Sequence, residues 1–233
     1  MISFVDYRTS LEEINSLKNL NYEVIKVPRA NNLYSAINGH VDIQLNVLNQ
    51  KDKTVIINKD INNDFKKILD EKNIKYINSS SSLHENYPNN ILLNAYISEK
   101  YLIHNLKYTD KELLNYCKNK KHINIKQGYS KCSILPVRED AIITNDGGIY
   151  KALIKENFDV LLIPPGDIEL PGLNYGFIGG VGGMISDDCM AFFGSLEHYA
   201  FGTMIKEFLY KYDIKPLYLR NSKLFDRGSL LVL

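Results

Sequence analysis

Four side chains in this sequence have the chemistry of a cysteine-dependent active site. Cys132 supplies a thiol, His40 supplies an imidazole, and Asp42 and Asp226 supply carboxylates. A thiol beside an imidazole can act as a nucleophile with a general acid and base, and carboxylates can hold positive charge next to them. The four residues lie far apart in the chain, so this chemistry requires a fold that brings them to one place.

Each of these residues also has a plain structural interpretation. Cys132 begins an apolar segment, where a cysteine is more often a small buried hydrophobe than a nucleophile. His40 follows Asn38 and Gly39, a setting that is typical of a turn. The two aspartates are typical of strand ends. The choice between these interpretations depends on the elements that carry the residues.

The sequence contains five copies of one pattern, in which a short apolar strand is followed by a segment with helical spacing and by a second strand. The first strands are residues 1–6, 54–60, 100–105, 141–146 and 189–194. The second strands are residues 22–28, 74–78, 123–127, 159–165 and 215–220. The spacing between the two suits a crossover through one helix, so each copy predicts a parallel β-α-β unit.

A further apolar strand precedes four of the five units. These strands are residues 41–49, 90–98, 131–139 and 175–185. The first unit lacks one, whereas the apolar C-terminal segment GSLLVL at 228–233 has no unit after it. We therefore expect the C-terminal strand to pair with the first unit and close a ring of five ββαβ-type repeats, which removes exposed sheet edges. An open, doubly wound α/β sheet has similar spacing and is the alternative.

In such a ring the starts of the five preceding strands meet at one opening, where a binding site is expected. Besides the residues named above, this opening contains candidates for substrate contacts, namely Asn94, Lys131, Gly179, Gly180 and Arg227. The glycines allow a ligand or another backbone to approach closely. The length of the chain favours one domain over residues 1–233.

The composition of the chain limits the classes of partner that are expected. The chain is 45% hydrophobic and 24% charged with a net charge of +1, so we expect a small-molecule substrate or ligand and neither nucleic acid nor a membrane. No long apolar segment or leader is present and the three cysteines are scattered, which favours a cytoplasmic protein with free thiols. Neither metal-binding nor nucleotide-binding spacing is found, so no cofactor and no metal is expected. The oligomeric state is left open.

The residues His40-Val41-Asp42 resemble the His-x-Asp signature of the guanidine-modifying superfamily, the penteins. This superfamily includes arginine deiminases, dimethylarginine dimethylaminohydrolases and amidinotransferases, and its fold is a five-bladed α/β propeller. Its nucleophilic cysteine opens the inner strand two blades after the His-x-Asp strand, and Cys132 stands two units after His40. The segment from Cys132 to Asp140 also looks like the apolar run after the deiminase cysteine.

The resemblance implies roles for the four residues. Cys132 attacks a guanidinium carbon, His40 protonates the leaving amine and then activates water, and Asp42 orients the imidazole. Asp226, at the strand equivalent to the deiminase Glu-Gly-Gly-Asp motif, holds the substrate cation, with Asp6 as the competing carboxylate. The chain departs from the pattern because its order is permuted and because GFIGGVGG replaces the strand that carries a second guanidinium-binding aspartate.

Two functions of different classes follow. One is a cysteine-dependent hydrolase or amidino-transfer enzyme that acts on a small guanidino or amidino compound through a covalent thiouronium intermediate. It predicts that Cys132 is alkylated faster than Cys117 and Cys189. The other is a ring-shaped domain that binds a small molecule or a protein without catalysis. A nucleotide-binding domain is a weaker third alternative, because the glycine run lacks the spacing GxGxxG.

Overall fold

The computed structural model describes residues 1–233 and contains fifteen strands and seven α-helices. The strands are β1 (Ile2–Asp6), β2 (Glu23–Val27), β3 (Leu45–Asn49), β4 (Thr54–Ile57), β5 (Lys75–Asn78), β6 (Tyr96–Ile97), β7 (Tyr101–His104), β8 (Lys121–Asn124), β9 (Ile134–Arg138), β10 (Ala141–Thr144), β11 (Asp159–Leu162), β12 (Gly182–Ser186), β13 (Cys189–Phe192), β14 (Lys215–Tyr218) and β15 (Leu231–Val232). The helices are α1 (Leu11–Asn19), α2 (Val41–Gln44), α3 (Asn63–Glu71), α4 (Lys111–Tyr116), α5 (Ser130–Ser133), α6 (Gly147–Leu153) and α7 (Gly202–Tyr210).

These strands form five separate sheets of three strands each. The strand orders are β15-β1-β2, β3-β4-β5, β6-β7-β8, β9-β10-β11 and β12-β13-β14. In each sheet the middle strand is parallel to the strand that follows its helix and antiparallel to the remaining strand. The five predicted β-α-β units are therefore confirmed, and the alternative of one open sheet is wrong.

Several of the helices that connect the two parallel strands of a unit have a side-chain cap at their N-terminus. Ser10 accepts a hydrogen bond from the Glu13 backbone, and Glu13 accepts one from the Ser10 backbone, which is the capping box that the sequence indicates. Asn62 caps α3 and Asp146 caps α6 in the same way, through backbone amides of the first turn. Each cap satisfies amides that have no partner within the helix.

The strands that precede the middle strands are shorter than predicted, and the prediction of continuous strands over 41–49 and 131–139 is wrong. Residues 41–44 and 130–133 form the one-turn helices α2 and α5, and β3 and β9 begin only after them. The physical reason is that these backbones bond outside their own sheet, since the Asp42 amide donates to Gly228 O and the Lys131 amide donates to Asn94 O.

The C-terminal strand pairs antiparallel with β1, as predicted, with Leu231 opposite Phe4. Two further hydrogen bonds of 2.8 Å join the Ile2 and Leu233 backbones reciprocally, so the first sheet contains both ends of the chain. No sheet closes on itself. One domain over residues 1–233 stays a prediction, and none of the seven helices has the length and apolar character needed to cross a membrane.

Apolar clusters fill the space between neighbouring sheets. Each cluster contains fully buried residues from two neighbouring sheets, all of them in the middle strands except Phe193, which directly follows β13. They are Phe4 with Ile57, Ile56 with Leu102, Ile103 with Ile142, Ile143 with Phe192, and Phe193 with Val5. In order they join the first sheet to the second and each sheet to the next, and they also join the fifth sheet to the first. The middle strands are thus buried on both faces, as their apolar runs indicate.

Candidate active site

The Cys132 thiol lies in α5 against the carboxylate of Asp42. Its Sγ is 3.2 Å from both Asp42 oxygens, and the thiol is the donor in this contact. Asp42 lies in α2, so the two short helices that replace the predicted strand starts bring the residues together. Cys132 is 2% exposed and Asp42 is fully buried. The arrangement places a thiol beside a buried carboxylate.

Asn94 fixes both of these residues. Its Oδ1 accepts hydrogen bonds from the backbone amides of Lys131 and Cys132, at 3.0 and 3.2 Å. Its Nδ2 donates to Asp42 O at 3.1 Å and to Cys132 Sγ at 3.2 Å. All the hydrogen-bonding groups of the Asn94 side chain are thus engaged within the protein, and its predicted contact with a substrate stays a prediction.

His40 lies beside Asp226 and not within hydrogen-bonding contact of Asp42. The distance from His40 Nε2 to Asp226 Oδ1 is 3.8 Å, and neither ring nitrogen of this buried histidine has a hydrogen-bond partner. A buried imidazole without hydrogen-bond partners is costly and is uncommon in folded proteins. The hydrogen bond by which Asp42 was expected to orient the imidazole is not formed, because Asp42 faces the thiol and Asp226 lies beside the ring.

Glycines allow Asp226 and His40 to approach their neighbours. A Cβ on Gly180 would lie 1.9 Å from Asp226 Oδ1, and a Cβ on Gly228 would lie 2.3 Å from the His40 Cβ. Gly228 also has a φ of 68°, which favours glycine. Asp226 is held by the backbone amides of Phe177 and Gly228, at 2.8 and 2.9 Å. Gly179 and Gly180 thus shape the site through their lack of side chains.

Ser229 is a site residue that the sequence analysis missed. Its Oγ lies 2.7 Å from Asp42 Oδ2 and 2.8 Å from Gly179 O, and it accepts a hydrogen bond of 3.0 Å from Lys131 Nζ. Its φ of 71° is unusual for a residue other than glycine and is typical of positions held in place for function. The only signal in the sequence is its position at the start of the C-terminal strand.

Burial dominates the electrostatics of the cluster. It raises the pKa of the Cys132 thiol well above its usual value, and the negative charges of Asp42 and Asp226 raise it further. Burial also raises the pKa of Asp226, which the neighbouring His40 opposes. It lowers the pKa of Lys131, against the attraction of Asp42. Without a bound cation these effects favour the thiol form of Cys132, and its faster alkylation than Cys117 and Cys189 stays a prediction.

Aromatic side chains lie beside the closed site. Burial raises the pKa of both Tyr34 and Tyr129, and both lie close enough to Cys132 to be affected by its charge. Tyr129 stacks on Phe177, with ring centroids 6.1 Å apart. Cys132, His40, Asp42 and Asp226 are all at most 2% exposed, so the cluster is closed to solvent.

Two predicted substrate contacts are engaged elsewhere. The buried Asp6 carboxylate is bound by Arg8, whose Nε lies 3.0 and 3.1 Å from the two oxygens. Arg227 places its guanidinium 3.8 Å from the centre of the Phe225 ring and 3.6 Å from the buried Glu13 carboxylate. Asp226 is thus the carboxylate beside the imidazole, and Asp6 belongs to a separate ion pair.

Three of these side chains offer a metal-binding set of atoms. One donor atom from each of His40, Asp42 and Cys132 lies within 4.8 Å of the others. Nitrogen, oxygen and sulfur donors of this kind suit a zinc ion with an open fourth position. The sequence has no metal-binding spacing because the three donors come from two different units.

The fold is similar to that of solved amidinotransferases and of a dimethylarginine dimethylaminohydrolase, enzyme classes that the resemblance in the sequence includes. The solved inosamine-phosphate amidinotransferase of Streptomyces griseus is similar, with a TM-score of 0.58 and 13% identity over 94% of this chain and 78% of that one. An amidinotransferase of the saxitoxin biosynthetic pathway from Microseira wollei has a TM-score of 0.55 and 11% identity over 94% and 77%. A Pseudomonas aeruginosa dimethylarginine dimethylaminohydrolase complexed with citrulline has a TM-score of 0.53 and 10% identity over 92% of this chain and 82% of that one.

The chain itself belongs to a family described as a family of unknown function, DUF6873, whose model matches residues 4–231. A comparison with curated proteins gives no match. At 10 to 13% identity the solved structures establish the fold, and the chemistry has to be argued from the site.

Proposed function

We propose that this protein is a cysteine-dependent enzyme that hydrolyses or transfers the amidino group of a small guanidino compound. The observation that carries the proposal is the position of Cys132 Sγ, 3.2 Å from both oxygens of the Asp42 carboxylate. A carboxylate binds the two parallel N–H groups of a guanidinium through such a pair of oxygens. A guanidinium held by Asp42 has its carbon next to the sulfur.

The reaction uses His40 as the proton carrier. His40 takes the proton of the Cys132 thiol while the sulfur attacks the guanidinium carbon, and it gives the same proton to the amine when the carbon–nitrogen bond breaks. A thiouronium group then remains on Cys132. In hydrolysis a water oxygen attacks this carbon and releases the sulfur, with His40 accepting the water proton; in transfer an amine replaces water.

The substrate cation also activates the nucleophile. Burial and the Asp42 charge raise the pKa of the Cys132 thiol, and a guanidinium bound at Asp42 opposes that effect because it neutralises the carboxylate. A bound guanidinium therefore makes the Cys132 thiol easier for His40 to deprotonate. Asp226 supports the positive charge that His40 carries during the reaction, since its oxygen is 3.8 Å from Nε2.

The same proposal includes the closed arrangement of the units and their location. The apolar clusters that join the fifth sheet to the first support a ring of five units, closed by the C-terminal strand and acting as one domain. Three free cysteines fit the reducing cytoplasm.

A second candidate is a binding domain without catalysis. It is favoured by the raised pKa of the Cys132 thiol and by the lack of an open path to the buried cluster. In this case a cationic ligand would occupy Asp42 and stabilise the fold, and no bond to sulfur would form.

The two candidates are separated by a pair of alkylating reagents that differ in charge. Chloroacetamidine is a cation that resembles a guanidinium, and chloroacetamide is its neutral counterpart. We expect chloroacetamidine to label Cys132 at least about tenfold faster, because Asp42 binds the cation next to the sulfur. Mass spectrometry of the peptides that contain Cys132, Cys117 and Cys189 measures each rate in one sample.

The Cys132→Ser variant serves as the control and should show no labelling of the corresponding peptide. Cys117, buried among apolar side chains, should show no preference between the two reagents. Equal rates of the two reagents at Cys132 would overturn the catalytic proposal. Protection against heat by a guanidino compound, without any labelling of Cys132, would support the binding domain instead.

A further inference from the structure

A cavity of about 460 Å³ lies outside the candidate active site. It is lined by residues of β3, β6, β9, β12 and β15, one strand from each of the five sheets. None of Cys132, His40, Asp42 and Asp226 lines it. The candidate active site lies in the turns that precede these strands. The cavity is lined by residues within the strands and after them, and Lys131 is the lining residue next to the candidate active site.

The cavity wall repeats one position of the fold five times. In each sheet the strand that lines the cavity pairs with the middle strand. The residue opposite the second residue of the middle strand is apolar in all five sheets. These residues are Val47, Ile97, Pro136, Met184 and Val232. All five line the cavity and are only partly buried. Five equivalent apolar side chains that remain partly open to one space form a wall that suits an apolar ligand body.

Charge in the cavity is predominantly positive. Lys131 reaches it from the side of the candidate active site, and Lys51 and Lys120 lie at its edge, whereas Glu99 is the one carboxylate among the lining residues. Lys120 Nζ is engaged with the backbone oxygens of Ser98 and Glu99, at 2.6 and 2.9 Å. Three ammonium groups against one carboxylate favour an anion.

Lys131 is the group on which recognition depends. It is only 6% exposed, and its Nζ has one hydrogen bond, of 3.0 Å to Ser229 Oγ, although an ammonium group can donate three. A buried ammonium group that is under-bonded gains from an anionic partner. The remaining donors of Lys131 can therefore be used by a ligand in the cavity.

We propose that this cavity is a second ligand site, which binds a small organic carboxylate with an apolar body. The carboxylate pairs with Lys131 and the body contacts the ring of five apolar side chains. This site goes beyond the proposed amidino chemistry, because its ligand is an anion, whereas the substrate of Cys132 is a cation. It does not depend on whether the protein is an enzyme.

The test uses three probes of one shape: hexanoate, hexanamide and hexylamine. Methyl-labelled methionine gives a site-specific NMR signal, since Met184 lines the cavity while Met1, Met190 and Met204 do not. We expect hexanoate to shift the Met184 methyl signal in a saturable way and to leave the Met1 and Met204 signals unchanged, whereas Met190, the cross-strand partner of Met184, can shift to a smaller extent. It should bind about tenfold more tightly than hexanamide, with hexylamine weakest, because only the carboxylate pairs with Lys131.

The Lys131→Leu variant should bind hexanoate and hexanamide equally, and the Met190 methyl signal reports whether its core is intact. The matched Lys155→Leu variant removes an exposed lysine outside the cavity and should keep the preference for hexanoate. If Lys131→Leu does not fold, the three probes on the unaltered protein still decide. The proposal is overturned if hexanamide or hexylamine equals hexanoate, or if the Met184 signal does not move at up to about 10 mM.

Discussion

The positions of Asp42 and Asp226 determine which carboxylate lies next to the thiol and which lies next to the imidazole. Asp42 faces the sulfur of Cys132 and Asp226 lies beside the ring of His40. The sequence predicts that these four residues meet, because they occupy equivalent places in the repeat. It cannot predict which carboxylate faces which partner, since shifts of a few ångströms in one-turn helices decide this. The proposed function therefore exchanges the roles that the sequence predicts for the two aspartates.

Replacement of Asp42 by asparagine tests its role as the cation-binding group. The Asp42 charge raises the pKa of the Cys132 thiol, so its removal lowers that pKa and increases the thiolate fraction at neutral pH. Neutral chloroacetamide should then react faster with Cys132. The advantage of chloroacetamidine should fall by roughly 10- to 100-fold, because the charged hydrogen bonds to the amidinium are lost.

The measurement is the alkylation rate of Cys132 between pH 6 and about pH 10, a range that includes the usual pKa of a thiol. Cys117 in the same sample should be unaffected, because its raised pKa comes mainly from burial. If Asp42→Asn slows both reagents equally, Asp42 only supports the structure and binds no cation.

His104 gives a prediction for stability against pH. Burial lowers its pKa to about 4, and its ring nitrogens contact the Thr109 hydroxyl at 2.7 Å and Gly128 O at 2.9 Å. The unfolded chain, with a histidine pKa of about 6.5, binds the proton first as pH falls. The folded state therefore loses about 3 kcal/mol between about pH 6.5 and pH 4 through this residue.

The His104→Gln variant isolates this effect, because glutamine can still donate to Gly128 O but does not titrate. We expect the free energy of unfolding of the unaltered protein to fall with acidification by about 3 kcal/mol more than that of the variant. Denaturant unfolding at several pH values measures the difference. A difference that stays constant from pH 7 to pH 4 would mean that His104 is not held neutral in the fold.

Most of the candidate site lies in the turns that precede the inner strands, which are the strands β3, β6, β9, β12 and β15 that line the cavity. Apolar runs in the sequence predict the strands themselves, because alternation and β-branched residues are visible there. The one-turn helices α2 and α5 cannot be predicted from VDIQ and SKCS, because their backbones are held by other units through Gly228 and Asn94. Such non-local hydrogen bonds override local propensity.

Gly180 tests the importance of close packing in these turns. A Cβ in Gly180→Ala would lie 1.9 Å from Asp226 Oδ1, and Asp226 cannot move without losing its bonds to the amides of Phe177 and Gly228. We expect a loss of about 1–3 kcal/mol in the free energy of unfolding. Labelling of Cys132 by chloroacetamidine should also slow, since the displaced carboxylate no longer supports His40.

The matched control is Gly147→Ala at the first residue of α6, where no atom lies within 4 Å of the added Cβ. This variant should be unchanged or more stable by up to about 1 kcal/mol, because alanine restricts the unfolded chain. Both free energies come from denaturant unfolding. Equal stability of the two variants would show that Asp226 is loosely held.

At the scale of the whole molecule, the repeat predicts the architecture well. Five middle strands and five crossover helices are visible because each unit repeats the same apolar pattern at similar spacing. The vacant position beside β1 follows from the same count, and β15 occupies it. Pairing of two strands more than 200 residues apart could be predicted only because the repeat supplies the rule. The cavity between the units could not, since no local pattern records it.

The repeat also predicts that the position of the chain ends is interchangeable. In the first sheet β15 ends next to the start of β1, so the two ends of the chain are neighbours there. In each of the other four sheets a short turn joins the corresponding two strands. In the fifth sheet that turn is Asp187–Asp188, between β12 and β13. A permuted chain that starts at Asp188, ends at Asp187 and joins Leu233 to Met1 through Asn-Gly has the same arrangement of strands.

We expect this permuted protein to unfold within about 2 kcal/mol of the original, because it keeps every sheet and loses only the contacts of an exposed turn. Its Cys132 should keep the preference for chloroacetamidine, since all inner turns are intact. A second permuted protein, opened between Ile56 and Ile57 within the buried strand β4, should fail to fold. If the first one also fails, the order of the chain and not the cyclic packing of the five units specifies this structure.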